Sequence, residues 1–310
     1  MDISIIVPVY FNEGSIRNTF MQISEILKSN NNVKDYEIIF IDDGSEDSSL
    51  DEILKLKIEF PNENIKIIKF TKNFGQISAI RAGYSIATGN TVINISADLQ
   101  DPPALINKMI EIHLNENYEI VVCTREAREE SYFRRKTSSI FYKLMKYLSF
   151  NNMPEGGFDF VLISDKVKKA ILNNSESNPF WQGQLLYLGY KIKFIPYTRQ
   201  KREVGISRWT FSKKLKYLID GVLSYSYLPV RLMSLIGLIV SLFGFIYAIV
   251  IVIAWYFGNV PFSGYAPIMI LVLVLSGFQM LMLGIIGEYL WRTLDQVRSR
   301  PPYIIEKIYE

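Results

Sequence analysis

The stretch that decides the fold is Thr91-Val92-Ile93-Asn94-Ile95-Ser96-Ala97-Asp98-Leu99-Gln100-Asp101-Pro102-Pro103. Its apolar first half predicts a short buried strand, and its polar second half predicts a loop at the carboxyl end of that strand. In open α/β sheets, ligands bind beyond the carboxyl ends of the strands. The stretch therefore predicts an α/β protein in which this loop is part of a ligand site.

The residues before this stretch repeat the same order of apolar strand and amphipathic helix. Strands are predicted at residues 3–9, 36–41 and 65–70, and helices at residues 15–28, 51–60 and 76–88. Strands that alternate with helices predict a mostly parallel sheet that is covered on both faces. We assign this domain to residues 1–210.

Two of the earlier strands also end in polar clusters, at residues 8–13 and 42–47. Acidic side chains at strand ends can accept hydrogen bonds from a ribose or a base edge, although Asp-Gly-Ser is also a common turn. No Gly-x-Gly-x-x-Gly follows the first strand, and the sequence has no Gly-x-x-x-x-Gly-Lys-Ser/Thr. The dehydrogenase fingerprint and the phosphate loop of nucleotide triphosphatases are therefore both missing.

Composition excludes several other classes. The 310 residues carry a formal net charge of +3, which gives no support to the strongly basic face of a nucleic-acid-binding protein, so we expect no nucleic-acid partner. Cys123 is the single cysteine, which excludes an intramolecular disulfide and a multi-cysteine metal site.

Two long apolar stretches follow the first domain, at residues 232–257 and 266–286, and neither contains Lys, Arg, Asp or Glu. Each is long enough to cross a bilayer, which takes about 20 residues as a helix. We therefore expect two transmembrane helices within residues 232–291, an amphipathic interfacial segment at 211–231 and a cytoplasmic tail at 292–310. Basic residues flank the pair on both outer sides, and the N-terminus lacks the basic region of a signal peptide. These features predict a multi-pass protein of the bacterial inner membrane with its large domain in the cytoplasm.

Asp98 and Gln100 are the candidate metal ligands. If the segment is extended, alternate side chains point the same way. A carboxylate and an amide oxygen suit Mg²⁺ or Mn²⁺, which keep several waters and bind substrate phosphates. The alternative is a polar turn that two prolines close.

Four segments together resemble the family 2 glycosyltransferases, which have the nucleotide-sugar-binding fold called GT-A. They are Val7-Pro8-Val9-Tyr10, Asp42-Asp43-Gly44-Ser45, Asn73-Phe74-Gly75-Gln76 and Ala97-Asp98-Leu99-Gln100-Asp101-Pro102-Pro103. The resemblance covers nearly the whole chain. It is greatest to the polyprenyl-phosphate branch, namely dolichol-phosphate mannose synthases and the bactoprenol glucosyltransferases of O-antigen modification. One departure is Ser96, where mannose synthases usually have Asp, so that Asp98 and Gln100 are left as ligands.

The resemblance implies which residues form the site. The nucleotide-sugar donor would be bound by Pro8, Tyr10, Glu13, Asp43, Asp98, Gln100, Arg199 and Arg202. The acceptor phosphate would be bound by Arg125, Arg134 and Ser138, because guanidinium groups suit phosphate oxygens. Asp98, Asp159 and Arg202 would be catalytic, with Arg202 on a lid over the diphosphate. The alternatives are a basic face that attracts anionic lipid, and for Asp159 an ordinary loop aspartate.

The implied reaction transfers a sugar with inversion to polyprenyl (undecaprenyl) phosphate, giving a lipid-linked sugar for cell-surface glycans. Glucose from UDP-glucose ranks first, while N-acetylglucosamine, mannose and aminoarabinose donors remain open. A processive polysaccharide synthase is disfavoured because Gly205 replaces the Gln of its Gln-x-x-Arg-Trp motif. A membrane scaffold with an inactive transferase fold is disfavoured because Asp98 and Gln100 are intact. The implied partners are the nucleotide sugar, the polyprenyl phosphate and the membrane, and a homo-oligomer such as the tetramer of related enzymes stays open.

Overall fold

A computed structural model of the chain describes residues 1–127, 143, 146–147, 150–154, 157–174, 176, 180–200, 219–257 and 265–310. The chain divides into two compact units. The first contains residues 1–221 and 301–310, and the second contains residues 222–300.

The described part of the first unit alternates strands and helices along most of its length. In chain order its elements are β1 (Asp2–Val9), α1 (Ile16–Ser29), β2 (Asp35–Asp42), α2 (Ser49–Glu59), β3 (Ile65–Phe70), α3 (Gln76–Ile86), β4 (Thr91–Asn94), α4 (Leu105–Glu116), β5 (Ile120–Ala127), β6 (Val161–Ser164), α5 (Asp165–Asn173), α6 (Trp181–Tyr187), β7 (Ile192–Thr198) and β8 (Ile305–Tyr309).

These strands form one sheet in the order β7-β5-β6-β4-β1-β2-β3-β8. Strands β1 to β4 are parallel where they pair, and β7 is parallel to β5. Strand β6 runs against both of its neighbours, and β8 runs against β3. The expectation of an α/β protein with a mostly parallel sheet is confirmed.

The core lies on the sheet because its central strands are apolar on both faces. In β1, the successive residues Ile5 and Ile6 point to opposite faces of the sheet, and neither has exposed surface. On α1, Ile16, Phe20, Ile23 and Leu27 recur at helical spacing and pack into the same core. Removing a buried aromatic ring such as that of Phe20 typically costs about 3–5 kcal/mol.

One buried carboxylate, that of Glu37, joins three elements of this unit. It accepts hydrogen bonds from Ser4 Oγ at 2.6 Å and from Thr88 N at 2.7 Å, and it pairs with Lys66 Nζ at 2.7 Å. Burial alone would raise the pKa of Glu37, but these partners outweigh it and hold the pKa below its ordinary value.

The second unit contains two long apolar helices, α7 (Leu228–Tyr256) and α8 (Tyr265–Arg298). Residues 228–254 and 274–298 are long and apolar enough to cross a membrane, by length and composition alone. Helix α8 continues beyond the apolar stretch that ends at Ile286 and reaches Arg298. The chain after it was expected to be a tail, yet residues 305–309 form strand β8 of the first unit.

Candidate active site

The direction of the strands brings the predicted site residues to one edge of the sheet. Strands β1, β2, β4, β5 and β7 all end at this edge, because β6 alone reverses direction between β4 and β5. Antiparallel β6 therefore begins there, which places Asp159 beside the end of β5. Polar residues from distant parts of the chain thus meet at the edge where α/β sheets bind ligands.

The residues after β4 form a turn instead of the extended segment that the sequence suggested. Leu99 has a φ of 54°, in the left-handed region, so the chain reverses between Asp98 and Gln100. Asp98 Oδ1 accepts hydrogen bonds from Ser96 Oγ at 2.8 Å and from Gln100 N at 3.3 Å. The turn is fixed to α1, because Ala97 O accepts hydrogen bonds from Ser15 Oγ and Thr19 Oγ1.

Asp101 is the buried centre of this turn, with 1% of its surface exposed. Its Oδ2 lies 3.0 Å from Ser96 Oγ, and its Oδ1 accepts a short hydrogen bond from Tyr197 OH and lies 3.5 Å from Arg199 Nε. Burial, followed by the charge of Asp101, raises the pKa of Tyr197. A hydroxyl has one hydrogen, so Ser96 donates to either Asp98 or Asp101 at a given moment. Sequence reasoning did not select Asp101 or Tyr197, although Asp101 lies in the stretch that decides the fold.

The end of β7 is also joined to this turn through the backbone. Gln200 N donates to Gln100 O at 2.9 Å, and Gln100 Nε2 lies 3.4 Å from Gln200 O. Arg199, predicted to bind the donor, therefore lies against the turn that contains the candidate metal ligands. Arg202 lies outside the described residues.

The turn offers two hard oxygen ligands for a divalent cation. Asp98 is 6% exposed and Gln100 is half-buried, and the contact of Gln100 Nε2 leaves its Oε1 for a ligand. Among the described residues, no group of three or more His, Cys, Asp or Glu side chains could hold a metal. A carboxylate and an amide oxygen are a donor pair that fits Mg²⁺ or Mn²⁺, which take their other ligands from water and substrate phosphate.

Asp43, at the end of β2, holds the loop that follows β3. Its carboxylate accepts hydrogen bonds from Phe74 N at 2.6 Å, Gly75 N at 2.9 Å and Asn73 Nδ2 at 2.9 Å. Gly44 has a φ of 69°, and a Cβ there would lie 2.5 Å from Lys72 C. We call residues 72–75 the donor loop, because Asp43, which is predicted to bind the donor, holds this loop through hydrogen bonds.

The remaining donor candidates lie beside this loop, after β1. Pro8 and Tyr10 are half-buried, and Phe11 N donates to Ser45 Oγ at 3.2 Å. Glu13 is exposed, and its Oε2 accepts a hydrogen bond from Ser48 N at 3.3 Å. The ends of β1 and β2 are therefore tied to each other.

On the other side of the turn, Arg125 and Asp159 form an ion pair through Nη2 and Oδ2. The Arg125 side chain is 6% exposed and that of Asp159 is 36% exposed. The backbone around Asp159 is held by two buried amides, since Asn94 Nδ2 donates to Asp159 O and Gln182 Nε2 donates to Phe158 O at 2.8 Å. The structure thus pairs two residues that were predicted separately. Arg134 and Ser138 lie outside the described residues.

Sequence reasoning missed the two supporting amides. Asn94 is a polar residue within an apolar strand, and Tyr84 OH donates to its Oδ1 at 2.8 Å. A polar residue that is buried in a strand needs hydrogen-bond partners, so its position was a usable signal. Gln182 gave no comparable signal.

Comparisons with known proteins found a matching family model and similar proteins. The model of Glycosyl transferase family 2 matches residues 4–172. The uncharacterized glycosyltransferase YkcC of Bacillus subtilis is 36% identical over 307 residues, which cover 99% of this chain and 94% of that protein. The SfII prophage-derived bactoprenol glucosyl transferase of Shigella flexneri is 35% identical over 311 residues, covering 99% and 98%. Among solved structures, mannosyltransferase PcManGT from Pyrobaculum calidifontis, in complex with GDP-Man and Mn²⁺, is 13% identical with a TM-score of 0.49, covering 72% of this chain and 63% of that chain.

Proposed function

The chain belongs to glycosyl transferase family 2, and we propose that it transfers glucose from UDP-glucose to undecaprenyl phosphate at the cytoplasmic face of the bacterial inner membrane. The family assignment confirms the glycosyltransferase class and the GT-A fold that the four sequence segments implied. The observation that carries the proposal is the turn at Asp98, where the two candidate metal ligands Asp98 and Gln100 lie at the same edge as the Arg125–Asp159 pair.

The donor side of the proposal rests on Asp98, Gln100 and Asp43. A bound Mg²⁺ or Mn²⁺ would neutralise charge on the departing nucleoside diphosphate. Asp98 and Gln100 would hold that ion, and Arg199 lies against the same turn through Asp101. The donor loop at Asp43 would receive the nucleoside. Arg202 would add a cation above the diphosphate.

The acceptor side rests on Arg125, Arg134, Ser138 and Asp159. Asp159 holds the Arg125 guanidinium, which would orient the acceptor phosphate with Arg134 and Ser138. The similarity to the bactoprenol glucosyl transferase of Shigella flexneri extends over 98% of that protein. It supports a polyprenyl phosphate as the acceptor. The two apolar helices support a membrane location close to such a lipid.

The reaction is a single displacement at the anomeric carbon. An oxygen of the acceptor phosphate forms the new bond to the anomeric carbon, while the bond between this carbon and the diphosphate oxygen of the donor breaks. A phosphate monoester loses its second proton near pH ~6, so the acceptor needs orientation more than deprotonation. Holding the two reacting atoms in line is then the main task of the side chains. One displacement inverts the anomeric centre, so an α-linked donor gives a β-linked lipid sugar.

A panel of donors tests this proposal. Purified protein in detergent receives radiolabelled UDP-glucose, UDP-N-acetylglucosamine, GDP-mannose or UDP-aminoarabinose, each with undecaprenyl phosphate and Mg²⁺ or Mn²⁺. We expect the rate of lipid labelling with UDP-glucose to be at least tenfold higher than with each other donor. A factor of this size is on the order of what one hydrogen bond to the sugar contributes to donor choice. If another nucleotide sugar gives the highest rate, glucose is the wrong donor. If no donor gives a labelled lipid, the proposed acceptor is wrong.

A further inference from the structure

The segment that returns to the sheet after helix α8 lies beside the donor loop. Antiparallel β8 begins at the carboxyl edge of the sheet, because it runs against β3. Ile304 comes just before β8, and its O accepts a hydrogen bond at 3.2 Å from the N of Thr71, the first residue after β3. Tyr303 therefore lies where β3 passes into the donor loop.

A chain of three aromatic rings leads from Tyr303 into this loop. The ring of Tyr303 stacks on that of Phe70, with centroids 5.3 Å apart and planes inclined by 9°. The ring of Phe70 meets that of Phe74 edge to face, with centroids 5.7 Å apart. The amide N of Phe74 donates to Asp43, so the last ring belongs to the residue that Asp43 binds.

The donor loop is thus supported from two sides. Asp43 and Gly44 hold it from β2, and Tyr303 supports it through Phe70 and Phe74 from the C-terminal segment. We propose that Tyr303 is a positioning residue for nucleotide binding, so that residues 301–310 complete the donor site. The proposal rests on the proposed function, because it assigns the nucleoside to the donor loop.

Edge protection alone explains only part of this arrangement. Strand β8 covers β3 and forms the exposed ion pair of Lys69 with Glu306, and covered edges prevent unwanted strand pairing. That role needs a strand at residues 305–309. It does not need an aromatic stack beyond the strand, against the residues that lead into the donor loop.

Tyr309 supplies a matched control at the other end of β8. It pairs with Ile67 and packs against the core, away from the carboxyl edge. Tyr303→Ala and Tyr309→Ala each remove one tyrosine side chain from the same segment. If β8 has only a structural role, both variants lower the melting temperature and neither changes nucleotide affinity at a temperature where both are folded.

The experiment is titration calorimetry of UDP with Mn²⁺ into full-length protein in detergent, well below the melting temperature of each variant. We expect Tyr303→Ala to weaken UDP binding about two- to tenfold, the loss expected for one aromatic pair. Tyr303→Phe, which keeps the ring, and Tyr309→Ala should stay within twofold of the parent. Equal affinity in Tyr303→Ala and the parent, or equal losses in Tyr303→Ala and Tyr309→Ala, would overturn the inference. A parent that binds neither UDP nor GDP would instead overturn the proposed donor site, and the inference with it.

Discussion

The buried hydrogen bond from Tyr197 to Asp101 gives a prediction that can be worked out from the structure. Tyr197→Phe removes only the hydroxyl, and both side chains are nearly buried, at 7% and 1% exposure. A hydrogen bond to a charged group contributes about 1.5–3 kcal/mol. In a domain of this size 1 kcal/mol shifts the melting temperature by about 2–4 °C. We therefore expect a decrease of about 3–12 °C.

The same substitution should affect donor use, because Asp101 shares Ser96 with Asp98. We expect kcat/KM for the nucleotide sugar to fall about tenfold, while the KM for the acceptor stays unchanged. Tyr36→Phe is the matched control, since Tyr36 OH donates to Glu63 Oε2 at 2.6 Å near the opposite edge of the sheet. It should lose stability without losing donor kcat/KM.

Thermal and denaturant unfolding in detergent, with steady-state kinetics for both substrates, decide this prediction. Asp101→Asn combined with Tyr197→Phe completes a double-mutant cycle, and we expect a coupling energy above about 1 kcal/mol. Additive losses would show that the two side chains act independently. A Tyr197→Phe variant with the donor kcat/KM of the parent would refute the link between Asp101 and donor use by the turn at Asp98.

Three further predictions follow from other parts of the chain. Asp159→Ala should lower the free energy of unfolding by up to about 3 kcal/mol, because it removes the carboxylate that pairs with the Arg125 side chain, which is 6% exposed. Arg125→Met should lower the free energy of unfolding by less. A larger loss for Arg125→Met than for Asp159→Ala in denaturant unfolding would contradict this account of the ion pair. The pKa of Glu37 is lowered in the fold, so its stabilisation is present above the unfolded pKa, about 4.3, and is lost as pH falls through the folded pKa. Between pH ~7 and ~3, the melting temperature should therefore fall less for Glu37→Gln than for the parent. Equal decreases in melting temperature would exclude this role for Glu37. In a cysteine-free background, Ser263→Cys should react with a membrane-impermeant thiol reagent in intact cells and Ser299→Cys only in opened cells; the opposite pattern would reverse the proposed topology.

The first four strands were predictable because each is a short, mainly apolar run, as burial on both faces favours, and because β1, β2 and β4 end in polar clusters. The edge at which the site residues meet followed from their parallel order. Strand β8 was not predictable in the same way. Its sequence, Ile305-Glu306-Lys307-Ile308-Tyr309, has charged residues at its centre and follows a long apolar helix, so it was assigned to a tail.

The site was predictable where one residue carries its own chemistry and not where a residue supports another. Asp98 and Gln100 were selected because a carboxylate and an amide at a strand end suggest metal ligands, and Asp159 was selected from the family resemblance. Their supports, Asp101 and Gln182, depend on contacts with residues 96 and 24 positions away in the chain, respectively. No local pattern specifies such pairs.

The central claim is that the turn at Asp98 serves sugar transfer to a lipid phosphate. The most direct measurement compares the parent with Asp98→Ala, using radiolabelled UDP-glucose and either undecaprenyl phosphate or undecaprenol. We predict label in the extracted lipid only with the parent, only with the phosphorylated acceptor, and with loss of transfer after EDTA. Undiminished transfer by Asp98→Ala, or equal labelling of undecaprenol, would contradict the claim.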